Sequence, residues 1–382
     1  VTLDRDAPGP GVPRRPGVVA VARAAGVSPS TVSNAFNRPE RLSPALRERV
    51  LRVAAQVGYG GPDPAARSLR SGRAGAIGVV FRRPLAAALD DPGTTELVRG
   101  MAEAVDPERL ALVLVPGPEE GPSSALAVRN AAVDGLIVYS VPSDDPLFEA
   151  TRQRRLPTVI VDSPALVDLP EIDDAALDFV GIDDRAAAQS AVRHLLDLGH
   201  RRLAILSFGL SAHAHGGPAD ERAQAQATAS VPKARLEGCA RALAAAGLDL
   251  SRVPVEQCPI HSIESGRVRG HALLERAPDT TAVFAFSDAL ALGVRLAARE
   301  RGLSVPGDLS IAGFDDTAPA LEGLTTIHQP LRDKGRIAAR RLLLALADER
   351  PADACEPLPT RLVIRDSTAP PAAPRQRTRP RR

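Results

Sequence analysis

Cysteine is scarce in this 382-residue sequence. Three are present (Cys239, Cys258, Cys355), an odd number and widely scattered. Neither a disulfide framework nor a metal knuckle follows from such spacing, and a reducing cytoplasm is the natural setting. Long apolar runs are missing too. The most hydrophobic stretches are interrupted, as at Asp288 and Arg295, so none could span a bilayer. The first twenty residues hold Pro, Gly and charges rather than an apolar core, so no secretory signal is expected. Enzyme signatures are absent as well: there is no GxxxxGK[ST], no G-x-S-x-G with plausible partners, and no His/Cys/Asp metal spacing. His213 and His215 alternate without a Cys or acidic partner nearby, which does not make a metal site.

Lysine occurs only at 233 and 334, so nearly all positive charge is arginine. The net charge of +2 conceals a segregation. Residues 1–75 hold twelve Arg against five Asp and Glu, and 370–382 hold five Arg and no acid, which leaves the middle at −10. High-GC coding would explain Arg over Lys, but not the separation of sign. Basic ends on an acidic body suit a polyanion partner for the ends alone. Hydrophobic content of 44% and charge of 25% are those of a soluble globular protein, long enough for two domains or more.

The most informative stretch is Val21 to Asn37, VARAAGVSPSTVSNAFN. An Ala-rich segment from Val18 to Ala25 meets Gly26, which can take the left-handed conformation that ends a helix. Ser28 is a good N-cap, and Pro29 fits the first helical position because its missing N–H needs no partner there. Val21, Ala25, Val27, Val32 and Phe36 can form a small core, while Ser30, Thr31, Ser33, Asn34 and Asn37 face outward. A helix-turn-helix whose second helix presents small polar groups is shaped to enter a DNA major groove. Ser43-Pro44 opens a third helix with Leu46, Val50, Val53 and Val57 at helical spacing, ending at Gly58. Asp63-Pro64 starts one more brief helix, 65–69, before Ser71-Gly72.

Beyond residue 75, short Val/Ile/Leu/Ala runs alternate with helical patterns. Strands are expected at 76–81, 110–115, 134–139, 157–161, 203–208, 253–257, 282–286 and 309–314, with helices such as 94–106, 185–198, 233–246 and 331–346. Strands without polar alternation, separated by helices, imply parallel sheets buried on both faces. Ligands in such folds bind beyond the carboxyl ends of the strands. That rule singles out Asp162, Ser287-Asp288 and Phe314-Asp315-Asp316, with Arg235 in the helix after strand 203–208. Asp288 and Asp316 are equally well read as helix caps. The stretch 209–232 is long for a connection and is either a lid over a site or a tolerated insertion.

The order AGVSPSTVSNAFN, LSPALRERV, GYGGPDPAARSLRSG and AIGVVF resembles the LacI/GalR (lactose-repressor) family of bacterial transcription regulators, and the resemblance runs to about Ser367. It implies a small all-α helix-turn-helix headpiece at 17–60, a hinge helix and linker at 61–74, and an α/β two-lobe periplasmic-binding-protein-like effector and dimerisation domain at 75–368. Disordered segments are expected at 1–16 and 369–382. The resemblance implies three crossings between the lobes, which we place near 177–182, 328–330 and 356–360. It further implies a cytoplasmic, non-enzymatic repressor, a homodimer or tetramer, that binds a pseudo-palindromic operator in double-stranded DNA under control of a small-molecule effector such as a sugar. A corepressor-dependent, purine-type repressor is the alternative; a transporter's solute-binding protein would share the body but has no use for a helix-turn-helix.

Residue by residue, Pro29, Ser30 and Asn34 are expected at base edges, and Ser28, Thr31, Ser33 and Asn37 at phosphates. Ala66, Arg67 and Leu69 are expected in the minor groove, with Leu69 as the wedge. Asp162, Arg235, Ser287, Phe314 and Asp315 are expected to grip the effector, with Ser287 standing where the family commonly has Asn. Two further departures are visible. The usual Thr cap and early Asp of the first helix are replaced by Gly17, Val19 and Ala20, and Asn34 occupies a position often held by Arg. Asn prefers adenine edges, where Arg prefers guanine.

Overall fold

In the computed structural model the described residues are 16–61, 72–117, 124–165, 177–211, 215–258, 260–349 and 356–372. The expected hinge contacts Ala66, Arg67 and Leu69 lie outside them, as do His213, nearly all of the arm and the end of the tail. The chain divides into two compact units, 1–74 and 75–382.

The first unit contains α1 (Val18–Ala25), α2 (Pro29–Asn37) and α3 (Pro44–Gln56). Gly26 closes α1 at φ 65°, and its N–H bonds back to the carbonyls of Ala22 and Arg23. The turn is therefore built on the left-handed glycine that the sequence offers. Ser28 and Ser43 cap α2 and α3 by accepting the N–H groups of Thr31 and Leu46. Gly17 makes no side-chain cap for α1, the expected weakness. Val21, Ala25 and Val32 are buried as anticipated, joined by Ala22, Ala35, Val50 and Ala54. Phe36 and Tyr59 close the core edge to face, ring centres 5.6 Å apart.

The second unit holds two sheets. In lobe 1 the strands are β1 (Ala76–Phe81), β2 (Ala111–Val115), β3 (Gly135–Tyr139), β4 (Thr158–Val161) and β5 (Leu177–Val180), all parallel in the order β2-β1-β3-β4-β5. Residues 177–180 are thus an edge strand, not the crossing anticipated there. The short sequence Leu-Asp-Phe-Val gave little periodicity to read, and Asp178 is held by Arg341 at 2.6 and 3.0 Å. Alternate side chains of β1 face opposite ways. Ile77, Val79 and Phe81 pack under α5 (Pro92–Val105) and α13 (Leu331–Leu346), while Val80 packs with Leu136 and Ile160 under α7 (Pro146–Gln153). Helices α4 (Leu85–Leu89) and α6 (Ser124–Asn130) complete the lobe.

In lobe 2 the strands are β6 (Leu203–Phe208), β7 (Gly217–Pro218), β8 (Val255–Cys258), β9 (Ala282–Ala285), β10 (Ser310–Asp315), β11 (Thr325–His328) and β12 (Arg361–Val363). They run β12-β11-β10-β9-β6-β8-β7, with only the two edge strands antiparallel. Helices α8 (Asp184–Asp197) and α10 (Ser230–Ala245) cover one face. Helices α11 (Ile263–Arg276) and α12 (Asp288–Glu300) cover the other, and α9 (Glu221–Ala225) is a short piece before α10. The chain crosses between lobes at 181–183, at 329–330 and between 346 and 361. The first and third crossings touch, since the N–H of Leu358 donates to the carbonyl of Gly181 at 2.9 Å. Helix α13 therefore returns to lobe 1 before the chain reaches β12, the last strand of lobe 2.

Candidate functional site

The carboxyl ends of both sheets face one cavity of about 160 Å³. Phe81, Tyr139, Ser140, Asp162 and Ser163 line it from lobe 1, and Phe208, Arg235, His261, Phe286 and Asp315 from lobe 2. Three lining residues, Ser140 (φ 53°), Asp162 (φ 67°) and Asp315 (φ 115°), hold positive φ without being glycine. Such strain persists where the surroundings enforce it and tends to gather at functional sites.

Asp162, Arg235 and Asp315 are brought together as anticipated. Arg235 is buried in α10; its Nε donates to Asp184 Oδ1 at 2.8 Å and its Nη1 to the carbonyl of Phe286. Its guanidinium lies 3.4 Å from the centre of the Phe314 ring. Phe314 is thus the floor beneath Arg235, fully buried and not itself a lining residue, which corrects its expected role as a direct contact. Ser287 is corrected more sharply. Its hydroxyl accepts the N–H of Leu290 at 3.2 Å as the cap of α12, and it does not line the cavity. Asp288 and Asp316 also turn away: Asp288 accepts from Thr317 and Thr326, and Asp316 pairs with His328 and Arg365.

A buried relay ties the two key carboxylates. Lys334, fully buried on α13, donates to Asp162 at 2.6 Å and to Gln329 Oε1 at 2.5 Å, and Gln329 Nε2 donates to Asp315 at 2.5 Å. Burial pushes the Asp315 carboxyl well above its ordinary range, with Arg235 opposing. Burial also raises the carboxyl of Asp184, again against Arg235. Asp91, the cap of α5, is raised by burial, but His261, Thr94 and Arg83 together carry it below the usual value. Burial lowers the His261 imidazole, with Arg83 and Arg235 acting the same way against Asp91.

Tyr139, Asp91, His261, Phe208 and Gln329 escaped the sequence reading. The strand-end rule points to Phe81-Arg82-Arg83, Tyr139-Ser140 and Phe208 as readily as to Asp162, and needed only to be applied to every strand. Among the described residues of 209–232, Gly217–Pro218 adds an edge strand, and Gly209, Ser211, Ala229, Val231 and Pro232 line the cavity. Thr228 donates to Asp144 of lobe 1 at 2.8 Å, and the hydroxyl of Ser230 accepts the N–H of Ala165 at 3.1 Å. Among the described residues no cluster of His, Cys, Asp and Glu could hold a metal ion, and no helix is long and apolar enough to cross a membrane.

On the headpiece, Ser28, Pro29, Ser30 and Asn37 are exposed and Thr31, Ser33 and Asn34 half-buried, all on α2 or its cap. The Ser28 hydroxyl meets those of Ser30 and Thr31 at 2.7 and 2.8 Å, and Asn37 donates to Ser33 at 3.3 Å.

Residues 20–61 match the model of bacterial regulatory proteins of the lacI family, and 192–368 that of the periplasmic binding protein-like domain. An HTH-type transcriptional regulator of Mycobacterium tuberculosis is 39% identical over 362 residues, 94% of this chain and 98% of that one. The chain belongs to the LacI family of transcriptional regulators. Its fold is that family's, a helical DNA-binding headpiece followed by a two-sheet α/β body. It resembles the lac repressor dimer bound to operator and an anti-inducer (26% identity, TM-score 0.72, 93% of this chain and 100% of that one). It also resembles a CelR–cellobiose complex (28% identity, TM-score 0.65, 92% and 100%). This LacI-family protein is a sequence-specific DNA-binding regulator, and its relatives are regulators rather than enzymes.

Proposed function

We propose that the protein is a cytoplasmic, dimeric repressor released from or held on its operator by a small, neutral, polyhydroxylated effector of the sugar class. The observation that carries this is the charge inventory of the cavity. Arg82 and Arg235 are paired with Asp145 and Asp184 and Arg83 donates to the carbonyl of His261, while Asp91, Asp162 and Asp315 bring carboxyl oxygens to the cavity. Carboxyl oxygens accept from hydroxyls, and an anionic ligand would meet acids on both lobes. The cavity is smaller than the roughly 300–1,000 Å³ of pockets for drug-sized ligands, which suits a compact molecule. The CelR–cellobiose complex supports a carbohydrate over a purine.

In this reading Pro29, Ser30 and Asn34 meet base edges, and Ser28, Thr31, Ser33 and Asn37 meet phosphates, which position α2 without reading sequence. Ala66, Arg67 and Leu69 enter the minor groove at the operator centre. The effector prefers one arrangement of the lobes, and operator binding fixes the two headpieces at one separation, so each equilibrium biases the other. Two variants separate the halves of the proposal. Asn34→Ala should flatten base preference at one or two positions per half-site, costing about 1–3 kcal/mol there, as read by selection from random duplexes. Asp315→Ala should retain operator binding and lose effector response, since removing one partner of a buried hydrogen bond costs about 1–3 kcal/mol. An unchanged selection profile or an unchanged response refutes the corresponding half.

A further inference from the structure

Among the described residues four buried side-chain polar atoms lack a hydrogen-bond partner: Arg152 Nε, Ser163 Oγ, Glu256 Oε1 and His261 Nε2. Arg152 and Glu256 are engaged through other atoms, with Glu149 and Arg276 respectively. Ser163 has no other polar side-chain atom, and the remaining ring nitrogen of His261, Nδ1, lies 3.8 Å from Asp91 Oδ2, beyond hydrogen-bond length. These two side chains line the same cavity from opposite lobes, Ser163 just after β4 and His261 just before α11. Ser163 is 4% exposed, so bulk solvent does not reach its hydroxyl.

A buried unsatisfied polar group is rare in native proteins and costs about 1–3 kcal/mol. Two converging on one cavity are best explained by a molecule that satisfies both. The chemistry of that molecule can be read from the ring. Asp91 beside Nδ1 favours the tautomer with its proton there, which leaves Nε2 as an acceptor pointing into the cavity. Phe208 lies against the ring, 5.8 Å between centres, and limits its rotation. An acceptor at this point calls for a hydroxyl or N–H on the ligand and repels a carboxylate or phosphate. The Ser163 hydroxyl can donate or accept, so it tolerates either sense of a second hydroxyl.

We propose that Ser163 and His261 are the cross-lobe anchors of the effector, taking two hydroxyls of one neutral polyol. This rests on the reading of the body as a sensor of such molecules. A ligand so held is bonded to both lobes at once. Its affinity is then tied to their arrangement through groups that make no other hydrogen bond.

The test uses the full chain, with D-ribose, D-glucose, cellobiose and myo-inositol as neutral probes and D-gluconate and D-glucose 6-phosphate as charged ones, in calorimetry and thermal unfolding. At least one neutral probe should bind the wild type. Ser163→Ala and His261→Phe should each weaken it about tenfold or more, while His261→Gln, which restores an acceptor, should recover most of the loss. Without probe, Ser163→Ala and His261→Phe should melt at the wild-type temperature or above it, because the unpartnered atom has been removed. A lower melting temperature would make the two side chains structural and overturn the proposal. Binding of a neutral probe to both variants within twofold of wild type overturns it while leaving sugar sensing intact. Binding of charged probes alone overturns the neutral class. If no probe binds a wild type that still holds operator DNA, sugar sensing fails and this proposal fails with it.

Discussion

Replacing Lys334 by Met tests whether the relay across the cavity is held by its one ammonium group. The side chain is wholly buried, and two of its three donors serve Asp162 at 2.6 Å and Gln329 at 2.5 Å. Met fills a similar volume but leaves a carboxylate 9% exposed without its cation. Breaking a buried pair by removing one partner costs about 3–5 kcal/mol, chiefly from the stranded charge. The companion variant Asp162→Asn removes that charge. In the double variant the cost should therefore fall short of the sum of the two single changes by about 2 kcal/mol or more, well above the 0.3–0.5 kcal/mol expected of independent sites. With tryptophan absent, urea unfolding is best followed by far-ultraviolet circular dichroism. A single-variant loss below about 1 kcal/mol, or additive single changes, would refute the idea that Lys334 neutralises Asp162.

Two further outcomes follow from packing and from titration. Gly100 of α5 and Gly335 of α13 bring the helix backbones together, and a Cβ on Gly100 would sit 1.9 Å from the carbonyl of Arg332. Gly100→Ala should lower the urea midpoint through overpacking, by about 1–3 kcal/mol or more; an unchanged midpoint would mean the helices can separate freely. Burial pushes the Asp288 carboxyl up to about 6 against hydrogen bonds from Thr326 and Thr317, with Asp316 adding to the rise. The folded state then binds more protons than the unfolded one between about pH 4 and 6, so this group's contribution is present at low pH and is lost as pH rises. Asp288→Asn, whose amide can turn to the Thr326 hydroxyl, should remove that fall, and an identical pH profile of stability in both proteins would contradict it.

The headpiece was the most legible part of the chain. Its caps, its left-handed glycine and its apolar spacing are local properties, and Gly26, Ser28 and Pro29 state them within four residues. The eight anticipated strands lie within about two residues of observed ones because fully buried parallel strands are unbroken apolar runs. The four others were hidden for identifiable reasons. Strands β5, β7, β11 and β12 are two to four residues long and sit at or near sheet edges, where polar residues such as Asp178 and Thr326 are admitted. At the site, Asp162, Arg235 and Asp315 could be read from motif position, but Ser287 and Phe314 could not be separated from them. Whether a side chain after a strand points into the cleft, caps the next helix or lies under a neighbour depends on backbone angles and packing. Lys334 and His261 come from elements whose partners are distant in sequence, and nothing local marks them.

The return of α13 to lobe 1 has a consequence for the order in which the protein can be made. The sheet face carrying Ile77, Val79, Ile137 and Val159 is closed in part by Ala338, Ala339 and Leu342. Strand β4 ends at residue 161, whereas its covering helix begins at 331, so about 170 residues separate the strand from its lid. At roughly 5–20 residues per second a nascent chain waits about ten to thirty seconds with that apolar face covered only in part, by α5. Lobe 2 would meanwhile have most of its own elements, lacking β12 and the segment through Ala369 that bonds to β10 and β11. The lobe translated first thus waits for a helix that follows β11, and a chain that stops before Leu331 would carry a hydrophobic sheet face only partly closed.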